Sequence, residues 1–160
     1  MNLVLRDFAA SDADFLFELY CETRKDEMAG WGWSKEQEDA FLRMQYNARQ
    51  YSYAAQFPGA SDSVILLDDE MIGRLLVAKL ADEFRLVDIA VVQRSQRKGI
   101  GTTLLRQLLE SARRARKPVR LNVRVLNPAR ELYARLGFDI IGENGGDFLM
   151  EFDAAHKPPA

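Results

Sequence analysis

Asp88-Ile89-Ala90-Val91-Val92-Gln93-Arg94-Ser95-Gln96-Arg97-Lys98-Gly99-Ile100-Gly101-Thr102 joins an apolar strand to a helix through a short basic loop. Apolar residues fill the strand up to Val92, and glycines open the helix. Such a junction aims backbone N–H groups and the positive end of a helix outward, which suits an anion such as phosphate. Glycine lets the anion approach, and Arg97 and Lys98 add charge. The loop is neither Gly-x-x-x-x-Gly-Lys-Ser/Thr nor Gly-x-Gly-x-x-Gly/Ala, because Leu104 stands three residues after Gly101.

The charge pattern points to the same loop. The chain has 160 residues, 22 basic and 24 acidic. Residues 1–93 carry 9 basic and 17 acidic side chains, whereas residues 94–120 carry 9 basic and 1 acidic. The near-neutral total therefore hides an acidic front and a basic block around the glycines. The length suits one domain, and 48% hydrophobic residues are enough for a core. One cysteine excludes an internal disulfide framework, and one histidine leaves little material for a metal site, so no metal is expected. No apolar run reaches the roughly 18–20 residues of a membrane span. The first residues lack the charged-then-apolar order of a signal peptide, so a cytoplasmic location is expected. The reading is a single domain over 1–153, with a flexible tail over 154–160 in which His156 is inert.

Outward from the loop, Leu3 to Arg6 reads as a strand. Ser11 is expected to cap a helix beginning at Asp12, with Phe15, Leu16, Leu19 and Tyr20 on its apolar face. Gly30-Trp31-Gly32-Trp33 breaks that helix. Ser34 and Gln37 form a capping box for a second one reaching about Ala55, with Phe41, Met44 and Ala48 on one face. Strands follow at 64–67, 71–80 and 85–92. The helix after Gly99 buries Ile100, Leu104, Leu105, Leu108, Leu109 and Ala112. Val119, Leu121, Val123 and Val125 alternate with polar residues, the signature of a half-buried strand. Asn127-Pro128 opens a short helix closed by Gly137, and a hairpin over 140–152 turns at Asn144-Gly145-Gly146. The order is of the β-αα-ββββ-α-β-α-ββ type, a mixed α/β (α+β) domain.

Gln96-Arg97-Lys98-Gly99-Ile100-Gly101 resembles the Gln/Arg-x-x-Gly-x-Gly/Ala signature of the GCN5-related N-acetyltransferases (GNAT). Asn127-Pro128-Ala129-Arg130-Glu131-Leu132-Tyr133-Ala134-Arg135-Leu136-Gly137-Phe138 resembles the same family's Asn-x-x-Ala-x-x-Leu-Tyr-x-x-x-Gly-Phe block. The likeness is strong over about 83–143. It implies a twisted mixed sheet of about seven strands with about four helices and splayed central parallel strands, here 85–92 and 119–126. It implies acetyl-coenzyme A as the donor. The pyrophosphate would lie on Gln96, Arg97, Lys98, Gly99, Ile100, Gly101 and Thr102. The pantetheine arm would pair with Val91 and Val92 and meet Asn127, whose other reading is a turn residue before proline.

The implied activity is direct transfer of an acetyl group to a primary amine in a ternary complex. A backbone amide of Val91 or Val92 would hold the oxyanion, and Tyr133 would protonate the departing thiolate. Asp88 is the candidate base. Glu83 is a weaker one, and water is an alternative. Cys21 is read as a packing residue rather than a nucleophile. By analogy with relatives, the acceptor, a small molecule or peptide, would meet Trp31, Trp33, Tyr46, Tyr51, Tyr53 and Phe57 with Glu27, Glu36, Glu38 and Asp39 among them, a lining suited to a cation. Homodimers occur in similar proteins. Two other readings stand beside this one: a catalytically inactive acetyl-CoA-binding sensor or interaction module, and a nucleic-acid binder using Arg113 to Lys117. Net charge −2 argues against the second.

Overall fold

The computed structural model describes residues 2–154. The elements are β1 (Leu3–Asp7), α1 (Ala13–Met28), α2 (Lys35–Gln56), β2 (Ser61–Leu67), β3 (Glu70–Lys79), β4 (Phe84–Val91), α3 (Ile100–Ala115), β5 (Val119–Arg124), α4 (Ala129–Arg135), β6 (Asp139–Asn144) and β7 (Asp147–Phe152). The strands form one mixed, open seven-stranded sheet in the order β1-β2-β3-β4-β5-β7-β6. Three strands, not four, stand between α2 and α3. Otherwise the expected order holds. Compact packing divides the chain into two units, Met1–Leu76 with Asp88–Gln96, and Val77–Val87 with Arg97–Ala160. His156 and most of the expected tail lie outside the described residues, while Ala154 is buried.

In the first unit β1 pairs antiparallel with β2, from Leu3↔Leu67 to Asp7↔Ser63. Asp68 and Asp69 at the following turn both take positive φ, +50° and +68°. Such angles are tolerated by Asp, whose short side chain bonds locally. Asp12, rather than Ser11, organises the start of α1. Its carboxylate accepts the Ala9 N–H at 2.8 Å and pairs with the Arg6 guanidinium at 2.9 and 3.0 Å. These bonds, the one from Arg6 first, hold the Asp12 carboxyl below the usual range. α1 buries Leu16, Leu19, Tyr20 and Met28.

The capping box of α2 is formed as read, with Gln37 N–H donating to Ser34 Oγ at 3.2 Å and Ser34 N–H donating to Gln37 Oε1 at 3.0 Å. Its buried row differs from expectation. Leu42 and Tyr46 are buried, whereas Met44 is 61% exposed and Ala48 is also exposed. Tyr46 fixes the helix rotation by packing its ring 5.5 Å from both Phe17 and Tyr20. Phe41 turns instead to the rings of Trp31 and Trp33.

In the second unit β4 runs parallel to β5 with register Phe84↔Val119 to Leu86↔Leu121, and β5 runs antiparallel to β7 from Val119↔Phe152 to Arg124↔Asp147. β4 itself continues to Val91 and β5 to Arg124. Val119, Leu121 and Val123 are buried while Asn122 and Arg124 are exposed, the alternation read from sequence. α3 buries all six residues expected of it. Gly145 and Gly146 turn the last hairpin at φ +59° and +89°, the pair of positive angles that a tight two-residue hairpin turn requires.

Candidate active site

Asp88 belongs to the first unit and lies among cations. Its carboxylate stands 3.7 Å from Arg49 of α2 and 3.9 Å from Arg74 of β3. Arg74 is 5% exposed. It donates to both oxygens of Asp62, at 3.0 and 2.8 Å, and to Gln50 Oε1 at 2.7 Å. Arg49 donates to the Tyr53 hydroxyl and stacks over the Tyr53 ring at 5.3 Å. Burial pushes the Asp88 carboxyl above the usual range, despite the opposing pull of Arg49 and Arg74. Burial, with Asp88 beside it, pushes the Tyr53 hydroxyl up to about 12. The carboxylate is thus held in place and kept more basic than a solvated one.

The sequence reading named Asp88 as a candidate but not Arg49, Arg74 and Asp62 around it. Tyr53, expected on the acceptor wall, stands beside Arg49 and feels the Asp88 charge. The signal was present, since an arginine inside Ile72-Gly73-Arg74-Leu75-Leu76-Val77 is buried only if paired.

Beyond Asp88 the strand reaches Ala90, Val91 and Val92. The Val92 N–H donates to Ile72 C=O at 2.7 Å. Of the two amides expected to hold the oxyanion, that of Val92 is therefore engaged within the protein. Gln96 Nε2 donates to Val91 C=O at 2.8 Å, capping the strand end. The Gln93 N–H meets the Glu22 carboxylate, and Arg94 pairs with Glu70 at 2.5 Å. Arg94 is thereby engaged with Glu70.

In the second unit, Arg97 and Gly99 both take left-handed φ, +62° and +79°, and α3 starts at Ile100. Arg97, Lys98 and Gly99 are exposed, and a Cβ built on Gly99 would meet nothing within 4 Å. Left-handed residues alternating in a loop turn successive N–H groups toward one concavity, an anion-binding form. With two exposed cations at the N-terminus of a 16-residue helix, the loop fits a phosphate group. Ile100 is buried, so only its backbone faces that role. The Thr103 hydroxyl is occupied by Gly99 C=O at 2.9 Å. Gly101 approaches Leu132 of α4, where an added Cβ would stand 3.9 Å from Leu132 Cδ2.

Asn127 Oδ1 accepts the Ala129 N–H at 2.9 Å, so it performs the local turn role. Tyr133 is buried in α4, its ring 5.8 Å from that of Phe138. Glu83 is paired with Arg120 at 3.5 Å and Arg85 at 3.8 Å. The basic end of α3 is paired too. Arg113 and Arg114 reach Glu110 at 2.8 and 3.4 Å, and Lys117 Nζ donates to Leu80 C=O at 2.8 Å. Arg116, between them, caps α3 in a left-handed conformation at φ +56°. Burial, then Asp39, pushes the Cys21 thiol up, away from nucleophilic use. The expected aromatic wall divides. Tyr46 is core and Tyr53 stands beside Arg49. Trp31 and Trp33 form a surface cluster with Phe41, and Tyr51 is 79% exposed.

A family model for the GNAT acetyltransferases matches residues 13–138. The chain belongs to the GNAT acetyltransferase family. Solved GNAT structures share its fold. One is the PaiA N-acetyltransferase of Thermoplasma acidophilum in complex with coenzyme A, 22% identical, with a TM-score of 0.72 over 96% of this chain and 99% of that one. Another is the ribosomal-protein-S18-alanine N-acetyltransferase of Escherichia coli, 19% identical, with a TM-score of 0.64 over 98% and 97%. No curated protein sequence matches the chain at a significant level. Among the described residues, no helix is long and apolar enough to cross a membrane. The GNAT assignment makes this an N-acetyltransferase-type enzyme by family.

Proposed function

We propose that residues 1–153 act as one cytoplasmic acetyltransferase domain that moves an acetyl group from acetyl-coenzyme A to a primary amine by direct transfer in a ternary complex. The observation that carries the reading is the loop of left-handed Arg97 and Gly99 at the start of α3. Its N–H groups, with Gln96, Arg97 and Lys98, would hold the pyrophosphate, while backbone groups of Val91 and Val92 and the side-chain nitrogen of Asn127, whose Oδ1 serves the turn, would contact the pantetheine arm.

A lysine-type amine has a pKa near 10.4 and must lose a proton to attack. Asp88 takes that proton, its basicity raised by burial. The amine lone pair forms the new C–N bond, and Val91 N–H donates to the oxygen that gains charge. Collapse breaks the C–S bond. Tyr133 gives its proton to the departing sulfur, the acetylated nitrogen sheds its second proton to water, and solvent restores Tyr133. Removing the Tyr133 hydroxyl with Tyr133→Phe is expected to lower kcat by about 100-fold or more, the range of general-acid effects. Affinity for coenzyme A, measured by titration, should stay within about twofold; unchanged turnover would remove the acid role.

The acceptor is a small-molecule or peptide amine. Screening amines for thiol release from acetyl-coenzyme A tests the function. Thermal stabilisation by acetyl-coenzyme A without thiol release for any amine would favour a sensor or interaction module instead.

A further inference from the structure

Gly73 lies in β3 and is needed there for room rather than for backbone angle, since its φ is not in the left-handed region. A Cβ at this position would stand 2.3 Å from Ala90 C=O oxygen, 3.0 Å from Ile65 Cδ1 and 3.2 Å from Val91 Cα. The first distance is shorter than real Cβ contacts allow, and the atom it meets is backbone. By comparison, a Cβ on Gly142 of β6 would find its nearest neighbour at an ordinary 3.8 Å. A glycine inside a strand marks such a close approach of another backbone. The neighbouring residue repeats the contact, because Ile72 C=O accepts the Val92 N–H at 2.7 Å.

The Ala90 carbonyl and the Val91 N–H belong to the same planar peptide unit, so neither moves without the other. We infer that Gly73 is a positioning residue of the acetyl-transfer site, its missing side chain fixing the Ala90–Val91 peptide so that the Val91 N–H meets the developing oxyanion. The inference rests on the acetyl-transfer reading and extends it to a residue that touches neither substrate. Everything in the contact is local. Gly73 presses on the Ala90–Val91 peptide.

Gly73→Ala must push the Ala90 carbonyl away by roughly 1 Å, a displacement that costs on the order of 100-fold where a reacting group is aimed. The expected result is a kcat at least about 30-fold lower, with KM for acetyl-coenzyme A and the dissociation constant of coenzyme A within about threefold of wild type. A residue needed only for packing would not divide kcat from KM in this way. Ile65→Val removes the second clashing atom, Cδ1, and leaves the Ala90 carbonyl where it is. The Ile65→Val/Gly73→Ala double variant should therefore regain thermal stability and not kcat. If kcat returns with stability, the role is packing and the inference fails. It also fails if neither variant folds, because the contact is then a requirement of the fold.

One readout is independent of activity. The amide resonances of Val91 and Val92 should shift in Gly73→Ala while those of α3 coincide with wild type. Coincident Val91 and Val92 resonances would overturn the inference even if the wild type acetylates amines. A wild type that releases no thiol across the amine panel would remove the acetyl-transfer reading, and the oxyanion role assigned through it, while the amide shifts still decide whether Gly73 sets the Ala90–Val91 peptide.

Discussion

Arg74→Met is expected to destabilise the protein by about 3 kcal/mol, read from the denaturant midpoint at unchanged slope. Breaking a buried pair by removing one partner typically costs about 3–5 kcal/mol. The lower end applies because Asp62 keeps 27% of its side-chain exposure and water can reach it. Methionine matches the apolar stem of arginine and leaves three groups behind. Asp62 loses two hydrogen bonds, Gln50 loses one, and Asp88 loses a cation. The cost lies in the uncompensated acceptors more than in the lost attraction. Asp62→Asn/Arg74→Met should accordingly be more stable than Arg74→Met alone. If the double variant is the weaker of the two, volume rather than charge sets the loss.

Asp88→Asn is expected to lower kcat by about 100-fold or more, the contribution of a positioned general base. Asparagine keeps the size and removes the proton acceptor. The pH dependence carries the sign. A base works ionised, so the rate rises as pH climbs through the Asp88 pKa, which burial holds above the ordinary carboxylate range. The stability linkage runs the other way. A carboxyl with a raised folded-state pKa contributes stability that is complete below its unfolded value and is lost as pH rises through the folded one. Asp88→Asn should therefore not be less stable than wild type at neutral pH, while losing the acidic limb of the rate profile. A variant that loses turnover and stability together would point to a structural Asp88. The two predictions are coupled, since Arg74 lowers the Asp88 pKa and its removal should move the rate limb to higher pH in whatever fraction remains folded.

The elements that were legible in the sequence are those whose pattern is local. The six buried residues of α3 recur at helical spacing, and the alternation in β5 has period two, so each pattern names its own buried face. The capping box at Ser34 was read correctly because both partners lie within one turn. The buried face of α2 was misread because Phe41 and Tyr46 serve different neighbours, and periodicity alone does not say which aromatic reaches the core. The loop 96–101 was legible through its glycines. The surroundings of Asp88 were not, because Arg49, Asp62 and Arg74 come from three elements and meet only in the fold. Gly73 was passed over as one apolar-run residue among others, although an isolated strand glycine is a signal in itself.

The surface cluster at the α1–α2 turn bears on how this protein reports its own unfolding. Trp31 and Trp33 are the chain's two tryptophans, and both stand 40% or more exposed with their rings 5.0 Å apart. Intrinsic indole emission therefore originates in one solvent-facing cluster. A fluorescence melt follows the loosening of that cluster, whereas far-ultraviolet circular dichroism follows the backbone as a whole. Equal midpoints from the two signals would make the turn part of one cooperative transition; an earlier optical midpoint would identify it as the first segment to let go.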